Sequence, residues 1–385
     1  MKPRLAIVVQ RWHPDVVGGS ESEAWLYATY LSSKYEVSLV TSCARDSTTW
    51  ANVFPAGESE MEGVSIRRFA AAAERGPYFR RLHHALLNQC ATVDGTFWTP
   101  ALELEWIRAQ GPECPELYEH LGQNNYDGHI FMTYLYSTTH RGSVGLRDRS
   151  LLVPTLHDEP PAYLQAYRLM AREFRALLWN AEAERQLAAR LWGPLPGARV
   201  GVGVSTEPAD PHAGRKHYGI RGPYLYYCGR ISAGKGVDEL LSLFRELNVP
   251  GLSLVLSGSR EMRLPRDGRI RFLGFTPEPL KFSLMAGATA LVMPSVQESL
   301  SIVMLEAMAQ GVPVIARRGS GVTENHIRRA GAGFLYADNK QWREAVDGVL
   351  AGDRQAAMQA RSYVLREHSH EAAAQRLLQA CARWL

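Results

Sequence analysis

The chain has 385 residues, which at roughly 100–200 residues per domain points to two domains. Its residues are 46% hydrophobic and 21% charged, the balance of a folded, soluble protein, which excludes disorder, collagen and a disulfide mini-protein. The net charge is only +4, and the arginine pairs at 67–68, 80–81, 317–318 and 328–329 are scattered rather than gathered into the basic stripe of a nucleic-acid binder.

The first half alternates short apolar runs with helical stretches. A strand is expected over 5–9, then a loop with Gly18 and Gly19, then a helix over 20–33 carrying Ala24, Ala28 and Leu31 at helical spacing. Further strands are expected over 37–41, 64–69, 129–132 and 151–156. Continuous apolar strands separated by helices indicate a parallel sheet covered on both faces. The segment 74–126 breaks this rhythm with paired histidines, two tryptophans and several prolines, and reads as an irregular, partly helical insertion. A stretch rich in proline and glycine at 193–222 reads as a hinge.

The second half repeats the plan, with strands over 224–228, 252–256, 269–273, 290–293 and 312–316, a helix over 237–247, and helix from about 354 onward. The expected fold class is therefore α/β, with two Rossmann-like lobes whose parallel sheets face a cleft. In such sheets ligands bind beyond the carboxyl ends of the strands. The expected domains are 1–203 and 204–367, with a last helix over 368–385.

The five cysteines, at 43, 90, 114, 228 and 381, are odd in number and widely spaced, with no C-x-x-C. That speaks against a disulfide framework and a zinc site, and for a reducing compartment. The longest clean apolar runs, at 5–9 and 290–293, fall far short of the ~18 residues that span a bilayer. No small-residue cleavage site follows the first run, so no signal peptide is expected and the location is expected to be cytoplasmic. A mildly basic sum also suits an anionic substrate or contact with an anionic membrane surface.

Four groups of residues point to chemistry. Over 290–316 a buried strand runs into Pro294 and Ser295, then a loop with Glu298, then a helix that Ser301 is placed to cap, with Glu306 inside it and Gly311 at its end. Unpaired amides at the start of that helix, at Ser301, Ile302 and Val303, form an anion site. Glu306 is placed to accept hydrogen bonds from vicinal hydroxyls such as those of a ribose, and Glu298 to face the cleft. The second group is Gly229-Arg230-Ile231-Ser232-Ala233-Gly234-Lys235-Gly236. Arg230 and Lys235 flank a glycine-bearing turn and suit the two charges of a diphosphate, the arginine as a fork and the lysine as a point charge. It is not a P-loop, and no G-x-G-x-x-G follows the first strand, which weakens a nicotinamide dehydrogenase reading. The third group is Gly18-Gly19 before Glu21, either a backbone pressed against a phosphate or sugar or a plain turn before a helix. The fourth is His157-Asp158 beyond the strand at 151–156, where His157 either meets a substrate or is structural.

Together these residues resemble glycosyltransferase family 4, retaining transferases of the GT-B fold. The resemblance covers nearly the whole chain and is most specific over 224–334. It rests on Gly18-Gly19-Ser20-Glu21, the G-R-x4-K-G loop at 229–236, Ser257-Gly258-Ser259, Phe272-Leu273-Gly274, the E-x7-E pair Glu298 and Glu306, and Thr323-Glu324. The resemblance implies that Arg230, Lys235, Gly18, Gly19 and the amides near 301–303 hold a donor diphosphate, and that Glu306 holds the ribose. Glu298 would hold the transferred sugar, and His157 the sugar or its phosphate side.

The resemblance further implies a UDP- or GDP-linked sugar as donor, no cofactor, no metal, and front-face attack with retention. The acceptor is expected to be a saccharide or a lipid-linked one, in glycan or polysaccharide synthesis, with peripheral membrane contact and no nucleic acid. The chain departs from the family at Ser299-Leu300-Ser301, where Gly-Phe-Gly is common, which leaves the donor sugar open. In the 74–126 segment, Phe79, Phe97, Trp98 and Trp106 are candidates for stacking on an acceptor sugar or touching lipid, against ordinary core packing. A nucleotide-sugar epimerase and a non-catalytic nucleotide-sugar binder are the rival readings.

Overall fold

The computed structural model describes residues 2–16, 18–88 and 98–385. The chain forms two compact units, Met1–Val202 with Ala373–Leu385, and Gly203–Ala372.

The first unit is built on a sheet of eight strands, β1 (Arg4–Val8), β2 (Glu36–Ser42), β3 (Gly57–Met61), β4 (Val64–Phe69), β5 (Gly128–Met132), β6 (Ser150–Val153), β7 (Ala176–Trp179) and β8 (Gly197–Arg199). Their order is β3-β4-β2-β1-β5-β6-β7-β8, and every pairing is parallel except that of β3 with β4. β5, β6 and β7 are buried along their whole length, as apolar strands in a sheet covered by helices must be. β3 is the exception. Its sequence Gly-Glu-Ser-Glu-Met has no apolar run, it lies exposed, and charged residues suit an edge strand.

One expectation is sharpened here and one changes. Among its described residues the 74–126 segment, expected to be partly helical, holds the helices Pro77–Leu87, Pro100–Gln110 and Pro115–Gln123. Each has its proline in the first turn, where a missing N–H costs no hydrogen bond. Phe79, Trp98 and Trp106 are buried in the core of this unit, beside Leu86, Leu117 and Phe131, so their surface is taken up by packing. Phe97 lies outside the described residues. The strand expected to run to residue 156 ends at Val153. Pro154 has no N–H to continue the ladder, and Thr155 takes φ +49°. His157 thus stands four residues beyond the strand end. From Ala373 on, the last helix (His370–Trp384) belongs to this unit, and Arg376 Nε donates to the Val200 carbonyl at 2.9 Å.

The second unit has six parallel strands, β9 (Tyr224–Cys228), β10 (Ser253–Ser257), β11 (Ile270–Phe272), β12 (Ala290–Met293), β13 (Val314–Arg317) and β14 (Phe334–Tyr336), ordered β11-β10-β9-β12-β13-β14. Leu225, Leu254, Val292 and Ile315 line the core on one face, with Leu240, Phe244 and Trp342 from the covering helices. Strand order reverses between β1 and β5 in the first unit and between β9 and β12 in the second. Such switch points open a crevice at the carboxyl ends of the flanking strands.

Candidate functional site

In the second unit the switch point is flanked by the loop after β9 and the loop after β12, which are the two loops that carry the charged motifs. They are pressed together backbone to backbone. Gly236 has φ +71°, and a Cβ there would sit 2.6 Å from the Pro294 carbonyl oxygen. Gly258, after β10, has φ +127°, and its Cβ would lie 2.0 Å from the Gly229 carbonyl oxygen. Only glycine allows either approach. Across this seam Lys235 Nζ meets Glu298 Oε1 at 2.9 Å. Arg230 is exposed, its nearest acid being Glu261 at 3.9 Å, while its carbonyl accepts from the Tyr227 hydroxyl at 2.7 Å.

The helix Ile302–Ala309 follows. Ser301 stands at its N-cap position but does not cap it as expected. It takes φ 63° and ψ 59°, and its hydroxyl makes no cap hydrogen bond. The left-handed region costs a non-glycine residue roughly 1 kcal/mol or more. Helix geometry leaves the amides of Ile302 and Val303 without carbonyl partners in the helix. Glu306 is 8% exposed, and Lys281 Nζ donates to its Oε1 at 2.8 Å. Burial pushes the Glu306 carboxyl above its usual range, and Lys281 opposes that push. Burial raises the Cys228 thiol nearby in the same way. Glu306 Oε2 and Ser301 Oγ are buried with no hydrogen-bond partner. Orphaned buried polar atoms are rare, and each asks for a missing partner, here a ligand or a water.

In the first unit, Gly18 is extended (φ −174°), and its lack of a side chain is used for packing: a Cβ would fall 2.0 Å from Glu21 Oε2. Glu21 is buried, and its carboxylate accepts from Arg11 Nε (2.6 Å), Gln10 Nε2 (3.1 Å) and Ser20 Oγ (3.0 Å). Gly19 starts the helix Gly19–Leu31, and a Cβ there would meet nothing within 4 Å. His157 Nδ1 lies 3.8 Å from Glu159 Oε1, which also accepts from the Tyr134 hydroxyl at 2.8 Å. The amide just before it, Leu156 N–H, donates to Glu184 Oε1 at 2.7 Å. Glu184 also accepts from the Asn180 amide, and Asn180 Nδ2 donates to Glu23 Oε2 at 3.2 Å. Both acids are buried. Burial pushes Glu23 up to about 7 and Glu184 up to about 8, although the two amides bonded to Glu184 pull the other way.

The structure therefore joins Lys235 to Glu298 and sets Ser301, Ile302, Val303 and Glu306 on the helix that continues the Glu298 loop. Gly18, Gly19 and His157 all lie beyond carboxyl ends of the first unit's sheet, the glycines after β1 and His157 after β6, with β5 between those strands. Sequence reasoning missed Lys281, Glu23 and Glu184. None stands in a recognisable motif, and the only hint is that Glu23 lies next to Ala24 on the buried side of its helix. Among the described residues no three His, Cys, Asp or Glu side chains gather as a metal site, and no helix is long and apolar enough to cross a membrane.

Residues 222–352 match the family described as Glycosyl transferases group 1. The D-inositol 3-phosphate glycosyltransferase of Kribbella flavida is 29% identical over 320 residues, 71% of this chain and 69% of that protein. Other curated relatives are matched over about a third to a half of their own length, from 34% to 55%. Among solved structures, the sucrose-phosphate synthase of Thermosynechococcus elongatus superposes with a TM-score of 0.73 at 16% identity, covering 99% of each chain. Anabaena Alr3699/HepE, solved with UDP and glucose, gives 0.71 at 15% identity, covering 99% of this chain and 100% of its own. Residues 222–352 are thus similar to the group 1 glycosyl transferases, and the chain has the GT-B fold.

Proposed function

We propose that this chain is a retaining, metal-independent transferase of glycosyltransferase family 4. It would move a sugar from a UDP- or GDP-linked donor to a saccharide or lipid-linked acceptor in glycan synthesis, at the cytoplasmic side and with peripheral membrane contact. The observation that carries the reading is the second unit's switch point. There a cation bridges two glycine-sealed loops, the first helix amides have no carbonyl partners in the helix, and a buried glutamate keeps one carboxylate oxygen without a partner. Arg230, Lys235 and the amides of Ile302 and Val303 suit a diphosphate, and Glu306 Oε2 suits a ribose hydroxyl. A structure of the same fold was solved with UDP and glucose. In the step proposed, the acceptor oxygen bonds to the sugar's anomeric carbon on the face that the diphosphate leaves. The carbon–oxygen bond to the diphosphate breaks, and the acceptor's proton passes to a diphosphate oxygen. The cations and amides stabilise the charge on that leaving group.

Calorimetry with UDP, GDP and ADP, without added metal, tests the binding half. One diphosphate should bind, and Arg230→Ala or Lys235→Ala should weaken it about 10- to 100-fold, as losing a charge-assisted hydrogen bond does. Glu298→Ala and His157→Ala should abolish transfer while diphosphate binding survives, since removing Glu298 frees Lys235 of its partner. Wild-type transfer rates in both variants would refute these assignments. Binding without transfer to any acceptor would favour a non-catalytic binder.

A further inference from the structure

The loop between Glu298 and the helix Ile302–Ala309 turns through a backbone conformation that its own sequence disfavours. Ser301 lies in the left-handed region, and its hydroxyl forms no hydrogen bond that could hold it there. A sparsely populated geometry persists only where its surroundings over-determine it. The residue before it supplies the hold. The Leu300 carbonyl oxygen lies 3.0 Å from His326 Nε2, on the helix Gly321–Ala330. His326 Nδ1 is 2.8 Å from the Tyr363 hydroxyl, which is 3.0 Å from His368 Nε2. All four residues are buried.

A carbonyl oxygen has no proton to give, so the direction of this relay follows from its end. His326 Nε2–H donates to Leu300, neutral Nδ1 accepts the Tyr363 hydroxyl proton, and the phenol oxygen accepts from His368 Nε2–H. Tyr363 and His368, at the end of the helix Arg354–Glu367, thereby select the one tautomer of His326 that can grip the loop.

We propose that His326 is a positioning residue. Through the Leu300 carbonyl it holds Ser301 in its left-handed turn, and so sets Glu298 and the amides of Ile302 and Val303 for a nucleoside diphosphate sugar. The role toward a donor rests on the function proposed above; the hold on the turn does not. A glycine at position 301 would need no such clamp, and that gives the test its sign.

The test is a double-mutant cycle in the full chain with His326→Leu, Ser301→Gly and the pair. It is read by amide hydrogen exchange over 298–305 without ligand, and by calorimetric binding of UDP and GDP. His326→Leu should speed exchange in that segment about tenfold and weaken the diphosphate about tenfold. Adding Ser301→Gly should return both to within about threefold of wild type, a rescue that a merely structural loss elsewhere would not show. His326→Gln, whose amide nitrogen reaches to where Nε2 stood, should keep most of the affinity. If His326→Leu does not fold, Tyr363→Phe, which unlocks the tautomer and leaves the ring in place, enters the same cycle. Unchanged exchange over 298–305, or losses that multiply independently with no rescue, overturn the proposal. If exchange shows the rescue while the wild type binds neither diphosphate, the clamp stands and the proposed function falls.

Discussion

Lys281→Met isolates the electrostatics at the centre of the candidate site. The ammonium holds Glu306 at 2.8 Å, and the two side chains are 20% and 11% exposed. Methionine keeps most of the stem's packing and removes the charge. Breaking a fully buried ion pair costs about 3–5 kcal/mol; the partial exposure of this one lowers the expectation to about 2 kcal/mol. In a unit the size of Gly203–Ala372 that is a fall in Tm of about 4–8 °C.

The pH dependence separates this cause from a packing defect. Burial raises the Glu306 carboxyl above its ordinary 4.5, so the folded chain holds its proton more tightly than the unfolded chain. Such a group contributes its full stability below the unfolded value and loses it as pH rises through the folded one. Without Lys281 the folded value climbs further and the loss on the alkaline side deepens. Urea unfolding should therefore show the variant close to wild type near pH 4.5 and about 2 kcal/mol weaker at pH 8. Lys281→Met combined with Glu306→Gln should recover much of that loss. A deficit of the same size at both pH values would refute the reasoning.

Gly236→Ala should cost at least about 2 kcal/mol by urea unfolding, because φ +71° and the 2.6 Å approach to Pro294 both oppose a Cβ. Gly19→Ala, where a Cβ meets open space in a helix, should be neutral or stabilise by up to about 1 kcal/mol. An equal loss at both glycines would mean that composition rather than geometry sets the cost. Glu23→Gln mimics the protonated acid that burial favours. The rise of Glu23 from 4.5 to about 7 corresponds to stability of up to about 3 kcal/mol that is present below pH 4.5 and lost as pH climbs through 7. The variant should accordingly flatten the stability profile between pH 5 and 8 and gain on wild type at pH 8. A steeper profile, or a variant that loses ground against wild type between pH 5 and pH 8, would count against a neutral Glu23; Glu184 and Glu306 still slope both profiles downward.

The parts of the fold legible in the sequence were those where one residue type has one physical outcome. Apolar runs such as 5–9 and 290–293 became the strands β1 and β12, buried over those residues, because a strand covered on both faces has no polar side to show. The edge strand β3 was illegible for the converse reason, since an exposed strand has no need of an apolar run. The helices over 77–123 were obscured by their prolines. Those look like breakers until their place in the first turn is known.

The candidate site divides along the same line. The glycine-bearing loop at 229–236 could be read directly from its composition, while Gly258 was reached only through the family resemblance, and what Gly236 and Gly258 pack against, Pro294 and Gly229, shows only in the fold. Pairings across the fold could not be read. Lys281 reaches Glu306 over 25 residues, and His326 reaches Leu300 over 26. Neither lysine nor histidine carries a local preference that would mark it out. Ser301 makes the point most sharply. From sequence a serine before an apolar run reads as a helix cap, because its side chain usually accepts an amide hydrogen bond. Here its backbone sits where that bond is not made. What holds the turn instead is a tyrosine and two histidines whose hydrogen-bonding sense is fixed only once a distant carbonyl completes the relay.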